Sequence, residues 1–193
     1  MLIAIRRATI EATKILKEEH RVIERVLASL EAAAGRLEAG ELIRPEIFTM
    51  SADFIKGFAD GIHHRKEEGV LFPAMQAAGI PSEGGPIGVM LAEHQEGRRL
   101  TAAMRAAAEK LQAGDAGGSE ELVQNALLYV ALLRGHIAKE DDILFPMADQ
   151  AIRGPTREEV SQALEHVEHE GMGLGAHQQF LALAESIERE IGL

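Results

Sequence analysis

The chain has 193 residues, with 20 Lys plus Arg against 31 Asp plus Glu for a formal charge of −11, and it contains eight His, no Cys and no Trp. At 46% apolar and 26% charged residues, it has the composition of a soluble globular protein with a real core, and one domain is the expectation at this length. The lack of cysteine excludes disulfides, thiolate zinc sites, ferredoxin-type clusters and a Cys nucleophile, which leaves imidazole and oxygen donors for any metal. A surface this acidic repels phosphate backbones and no basic stripe offsets it, so nucleic acid is not an expected partner. Nor is a membrane, because no run approaches about 18 uninterrupted apolar residues. The opening MLIAIRRATIEA is too short in its apolar run for a signal peptide, and a cytoplasmic location is expected.

Aromatic residues are scarce, while Ala, Leu, Glu, Lys, Arg and Met fill the periodic segments, which favours helix throughout. A first helix, capped by Thr9, is expected to run to about Glu38. Its stripe Thr13, Leu16, His20, Ile23, Leu27, Leu30, Ala34 and Leu37 has the three-and-four spacing of a buried face. Gly40 ends it, Pro45 opens a second helix through Phe48, Ile55, Ala59 and His63 to about Phe72, and Pro73 marks its final turns or a break. The Gly/Pro-rich connection 79–88 leads into a third helix from Pro86, with Met90, Leu91, His94, Thr101 and Leu111. Ser119, Glu120 and Glu121 start a fourth, through Leu122, Leu128, Tyr129, Leu132, Leu133, His136, Ile143 and Leu144.

Successive amphipathic helices on modest loops predict an all-α fold, an antiparallel up-and-down four-helix bundle over residues 1–150. Residues 151–193 form a C-terminal helical extension, interrupted at GMGLG (171–175), that packs on the bundle or at the interface of a homodimer.

The segments HHRKEEGVLFP (63–73) and HIAKEDDILFP (136–146) align at a constant offset of 73 in His, Lys, two acidic residues, Leu, Phe and Pro. His63 and Glu67, like His136 and Glu140, are four apart on a helix and reach one interhelical space. The parallel readings are His64 with Glu68 and His136 with Asp141, the latter requiring a favourable helix rotation. His20 and His94 lie on the apolar stripes of the first and third helices, with Glu24 one turn beyond His20. An isolated His on such a face is ordinarily a hydrogen-bonded core residue. Its recurrence on four helices, beside buried carboxylates that need compensation, points to metal. Four His and two carboxylates suit a pair of iron or manganese ions, whereas one zinc would leave several groups unexplained.

EEHRVIE around His20, the two repeated segments, and the EH of Glu93 and His94 together resemble the hemerythrin-like, or HHE cation-binding, family over about residues 12–150. The resemblance implies a non-heme di-iron centre with a bridging oxo or hydroxo species. Its nearest ligand set is His20, His63, Glu67, His94, His136 and Glu140, and manganese or zinc are alternative occupants of the isolated protein. It implies a protein that binds or senses oxygen or nitric oxide. Its alternatives are a di-iron enzyme of oxidative or nitrosative stress defence supplied by an electron donor, and a noncatalytic iron-responsive interaction bundle. In the oxygen-carrier form the third helix supplies two His four apart, whereas here Arg98 follows His94 at that spacing. Glu24 or His177 would be the residues to close the position Arg98 leaves. His64, about 100° around the helix from His63, reads as a supporting, interhelical or solvent-facing residue, and His166 and His169 read as surface. Phe72 and Phe145 of the LFP repeats could wall the metal chamber.

Overall fold

The computed structural model describes residues 11–172 and 175–193, and every regular element among them is helical. Helix α1 spans Glu11–Glu38, and the expected cap Thr9 lies outside the described residues. A continuous helix α2 covers 46–77, α3 spans Pro86–Gln112, and a second continuous helix, α4, covers 118–151. The extension supplies α5 (Pro155–Met172) and α6 (Ala176–Ile191), with the middle of GMGLG outside the described residues.

α1 stops where Gly40 takes φ +82°, a left-handed conformation open to glycine, and the Gly40 and Glu41 amides close the helix end onto the carbonyls of Leu37 and Arg36. Pro45 (φ −60°) opens α2. α4 begins at Gly118, one residue before the expected Ser119, and neither glycine nor serine contributes a side-chain cap there.

Two helices run further than their prolines suggest. α2 continues to Ala77 rather than ending near Phe72, and α4 continues to Ala151. In each, a five-residue π-helical stretch, Glu67–Leu71 or Glu140–Leu144, ends on the Leu of the LFP triplet. A proline inside an α-helix lacks one amide and its ring meets the carbonyl four residues back. The wider π turn shifts the hydrogen-bond register ahead of Pro73 and Pro146, so the helix passes through both. α2 also carries a longer π-helical stretch over Ile55–His64.

The packing has three layers. Along α1, Leu16 belongs to one apolar cluster, His20 follows, and Ile23 through Ala34 belong to a second. α2 crosses the same layers in the opposite order, from Ile62 through His63 and Glu67 to Leu71 and Phe72. α3 repeats the order of α1, from Met90 through His94 to Leu100, and α4 repeats that of α2, from Leu133 through His136 and Glu140 to Leu144. Alternating order is what an up-down-up-down bundle produces, with a buried polar layer between two apolar ones. In the larger cluster Ala33, Ala34, Ala52, Ala107, Ala108 and Ala126 are fully buried. Leu128 and Ile143 face outward instead, at 49% and 54% exposure, off the stripe of α4 that Leu122, Tyr129, Leu133 and Leu144 bury.

The extension packs on the bundle at two places. Val160 and Leu164 of α5 join the smaller cluster, beside Leu71, Phe72 and Phe145. Ala184, Ile187 and Ile191 of α6 join the larger one, and Arg25 of α1 donates two bonds to Glu188 at 2.7 and 2.6 Å. None of the helices is long and apolar enough to cross a membrane, among the described residues.

Candidate metal centre

Each of the four bundle helices places its polar residues in the middle layer, and the six residues His20, His63, Glu67, His94, His136 and Glu140 all meet there, each at most 1% exposed. They form two donor groups that share Glu67: His20, His63, Glu67 and Glu140 in one, and His64, Glu67, His94 and His136 in the other, with all donor atoms of a group within 4.8 Å of one another. His64, expected behind or beside the site, therefore faces it. A π turn holds more residues than an α turn, so adjacent side chains diverge by less than the ~100° of an α-helix, and His63 and His64 both turn inward.

Both glutamates reach across the two groups. Glu140 lies 3.2 Å from His136 Nε2 through one oxygen and 3.2 Å from His20 Nε2 through the other. Glu67 lies 3.5 Å from His63 Nε2 and 3.5 Å from His94 Nε2 in the same two-sided way. A carboxylate so placed can bridge two cations and lessen their repulsion.

Behind every imidazole stands another carboxylate. The Nδ1 atoms of His20, His63, His64, His94 and His136 are 2.7–2.9 Å from Asp141, Glu19, Asp60, Glu68 and Glu93 respectively. An ionised carboxylate only accepts, so each Nδ1 carries a proton, and in the neutral ring Nε2 is left with its lone pair toward the centre. The partners are crossed between helices: in EEH, Glu19 serves His63 while its neighbour His20 is served by Asp141. Glu19 and Glu93 were missed as functional residues in the sequence, although each immediately precedes a site histidine, because their partners lie on other helices. Asp141 takes up the position behind His20 and belongs to neither donor group. Glu24 turns outward to Arg21 at 2.9 Å, and His177 stands edge-on to Phe58, with ring centroids 5.3 Å apart, outside both groups. His166 is exposed, and the side chain of His169 lies outside the described residues.

The offset of 73 thus marks a pseudo-twofold arrangement of contacts. Glu19 binds His63 and Lys66, as Glu93 binds His136 and Lys139; Phe145 stacks on His20 (5.4 Å, 12°), as Phe72 stacks on His94 (6.0 Å, 17°). It is broken at His64 and the carboxylate behind it: Ile137 and Leu133 stand where His64 and Asp60 stand in the first copy. The two groups consequently hold two and three imidazoles.

The electrostatics of the bare protein are those of a site built for cations. Burial, with the negative Glu140 nearby, pushes the Glu67 carboxyl well above the ordinary range. Burial acts against Glu140 too, but the closer imidazoles of His136 and His20, each 3.2 Å away, outweigh it and hold that group low. Burial and the adjacent His20 push His63 down to about 4, so its lone pair is free at neutral pH. His64 is likewise pushed far down, by burial and by His94 and its other histidine neighbours.

A pair of metal ions fits these residues. Nε2 of His20 and His63 and both oxygens of Glu67 and Glu140 are buried without a hydrogen-bond partner, and orphaned atoms of this kind are costly. Nε2 of His94 and Nε2 of His136, both directed inward, are only 3.0 Å apart, a spacing at which a proton between them or a cation against both holds the two nitrogens together.

A helical bundle with two His/Glu donor groups sharing a carboxylate defines a protein with a binuclear metal site. Residues 11–148 match the hemerythrin HHE cation binding domain, and the chain belongs to that family. It is also similar to uncharacterized protein Rv1995 of Mycobacterium tuberculosis and uncharacterized protein Mb2018 of Mycobacterium bovis. Each is 27% identical over 184 residues, which is 95% of this chain and 71% of the relative. No solved structure gives a significant match.

Proposed function

We infer that the chain is a non-heme di-iron protein that binds or senses oxygen or a related diatomic such as nitric oxide. The observation that carries this reading is the donor set: five Nε2 atoms, each backed by a carboxylate at Nδ1, around two glutamates that face both groups. Imidazole and carboxylate together suit iron or manganese, and iron held by His20, His63, Glu67, Glu140 and by His64, His94, His136 would supply one-electron chemistry toward a diatomic.

The protein's part is to hold, orient and keep dry. The carboxylates at Nδ1 fix each ring and raise its basicity, and the buried Glu19 is itself held by Lys66 at 2.6 Å. The half built on His20 and His63 offers two imidazoles against three and is the richer in carboxylate. Leu16, Phe72 and Phe145, all fully buried or nearly so, close one side of the layer with apolar side chains and keep bulk water from it.

Loading with ferrous iron without oxygen, then admitting and removing oxygen, tests this. An absorption band that appears with oxygen and reverses on its removal is expected. Steady consumption of oxygen with an electron donor and no reversible band would instead make the protein a di-iron enzyme.

A further inference from the structure

All five carboxylates behind the imidazoles carry a cation, from four side chains: Lys66 on Glu19 and Lys139 on Glu93 at matching places of the repeat, Arg21 on Asp141, and Arg98, at a place of its own, on Glu68 and Asp60. Arg98 differs from the others in spanning two of these carboxylates. Its Nη2 donates to Glu68 Oε1 at 2.6 Å, and its Nε lies 3.3 Å from Asp60 Oδ1. Glu68 receives the Nδ1 proton of His94 at 2.7 Å, and Asp60 that of His64 at 2.9 Å. The two rings are stacked, with centroids 3.8 Å apart and planes at 20°. In the other half Arg21 makes its second contact, 2.9 Å, to Glu24 of its own helix, which orients no imidazole. At the places of Asp60 and His64 that half has Leu133 and Ile137.

Resting on the binuclear reading above, we propose that Arg98 is a positioning residue for the three-histidine half: its guanidinium joins Asp60 and Glu68, and through them sets His64 of α2 and His94 of α3 as one unit. A planar guanidinium has donors in a fixed fork and can serve two carboxylates at once, which an ammonium does not reproduce. The side chain is 41% exposed, so its removal leaves the core intact. It acts only on the half that contains both of its carboxylates.

Cobalt(II) titration of the full chain, followed by calorimetry and by the visible ligand-field bands, tests this on wild type, Arg98→Ala, Arg98→Lys and Arg21→Ala. Wild type is expected to take up two ions. Arg98→Ala should weaken one equivalent about 10–100-fold, the usual cost of losing a partner behind a ligand, and change the bands of that equivalent alone. Arg98→Lys should recover only part of the loss, and Arg21→Ala should weaken the other equivalent. Arg98→Ala titrating like wild type, or weakening both equivalents alike, would overturn the proposal while leaving the binuclear reading in place. Wild type failing to take up two ions would overturn both.

Discussion

Glu67 and Glu140 occupy equivalent places in the repeat, yet their surroundings give them opposite tendencies. Imidazole nitrogens approach Glu140 to 3.2 Å and Glu67 only to 3.5 Å, so in the bare protein Glu67 is the one that retains a proton. A carboxyl whose folded value lies above its unfolded one stabilises the fold at low pH, and that stabilisation is lost as pH rises through the folded value. Glu67→Gln should therefore stabilise the metal-free protein, and its advantage in thermal unfolding under chelation should widen as pH rises from about 5, a window opened by the raised Glu67 value. The same variant should lose the paired ions. An unchanged gap between variant and wild type across that range would remove the excess proton from Glu67. At His136 the expectation is different: His136→Ala takes away one donor, leaving Glu93 with Lys139 and Glu140 with His20. One ion, or the paired spectrum, should be lost while the helical circular dichroism is largely kept, and unchanged stoichiometry would take His136 out of the ligand set.

At the level of elements, much of the bundle is legible in the sequence, because buried stripes at three-and-four spacing leave little choice of partner. The stripe of α1 from Thr13 to Ala34 is buried as its periodicity predicts. What periodicity misses is the π-helical register of α2 and α4. It depends on hydrogen bonds to the fifth residue, which side-chain patterns do not report, and it is what turns His64 inward and carries both helices past their prolines. Four of the six site residues, His63, Glu67, His136 and Glu140, were visible because they repeat at an offset of 73, and His20 and His94 because they interrupt apolar stripes. Of the carboxylates behind the imidazoles, Glu68 and Asp141 were visible only as alternative ligands, and the roles of Glu19 and Glu93 were not, because they serve histidines of other helices. The extension is anchored at another feature with no sequence signal: Phe180 of α6 sits over Gly57 in the π-helical part of α2, where a Cβ would fall 2.1 Å from the ring. Gly57→Ala should destabilise by about 1–3 kcal/mol through overpacking. In Gly57→Ala with Phe180→Ala the two losses should sum to more than the double variant shows, as measured by denaturant unfolding. Additive losses would mean that α6 does not rest on that notch.

For the whole molecule, a layer of buried histidine and carboxylate between two apolar layers is a weakness until cations occupy it. The orphaned oxygens of Glu67 and Glu140 and the orphaned Nε2 atoms of His20 and His63 cost stability in the bare chain. Metal bound to the folded state alone stabilises it by mass action, about 2.7 kcal/mol at a free concentration 100-fold above the dissociation constant. Chelation should lower the thermal midpoint accordingly, and restored metal should recover it. A midpoint indifferent to chelator, in protein shown to carry metal beforehand, would contradict that coupling. The central claim is the binuclear site itself, and anaerobic titration with ferrous iron, followed by metal analysis of the washed protein, tests it most directly. Two irons per chain are predicted; one or none, in protein that keeps its helical fold, would contradict it.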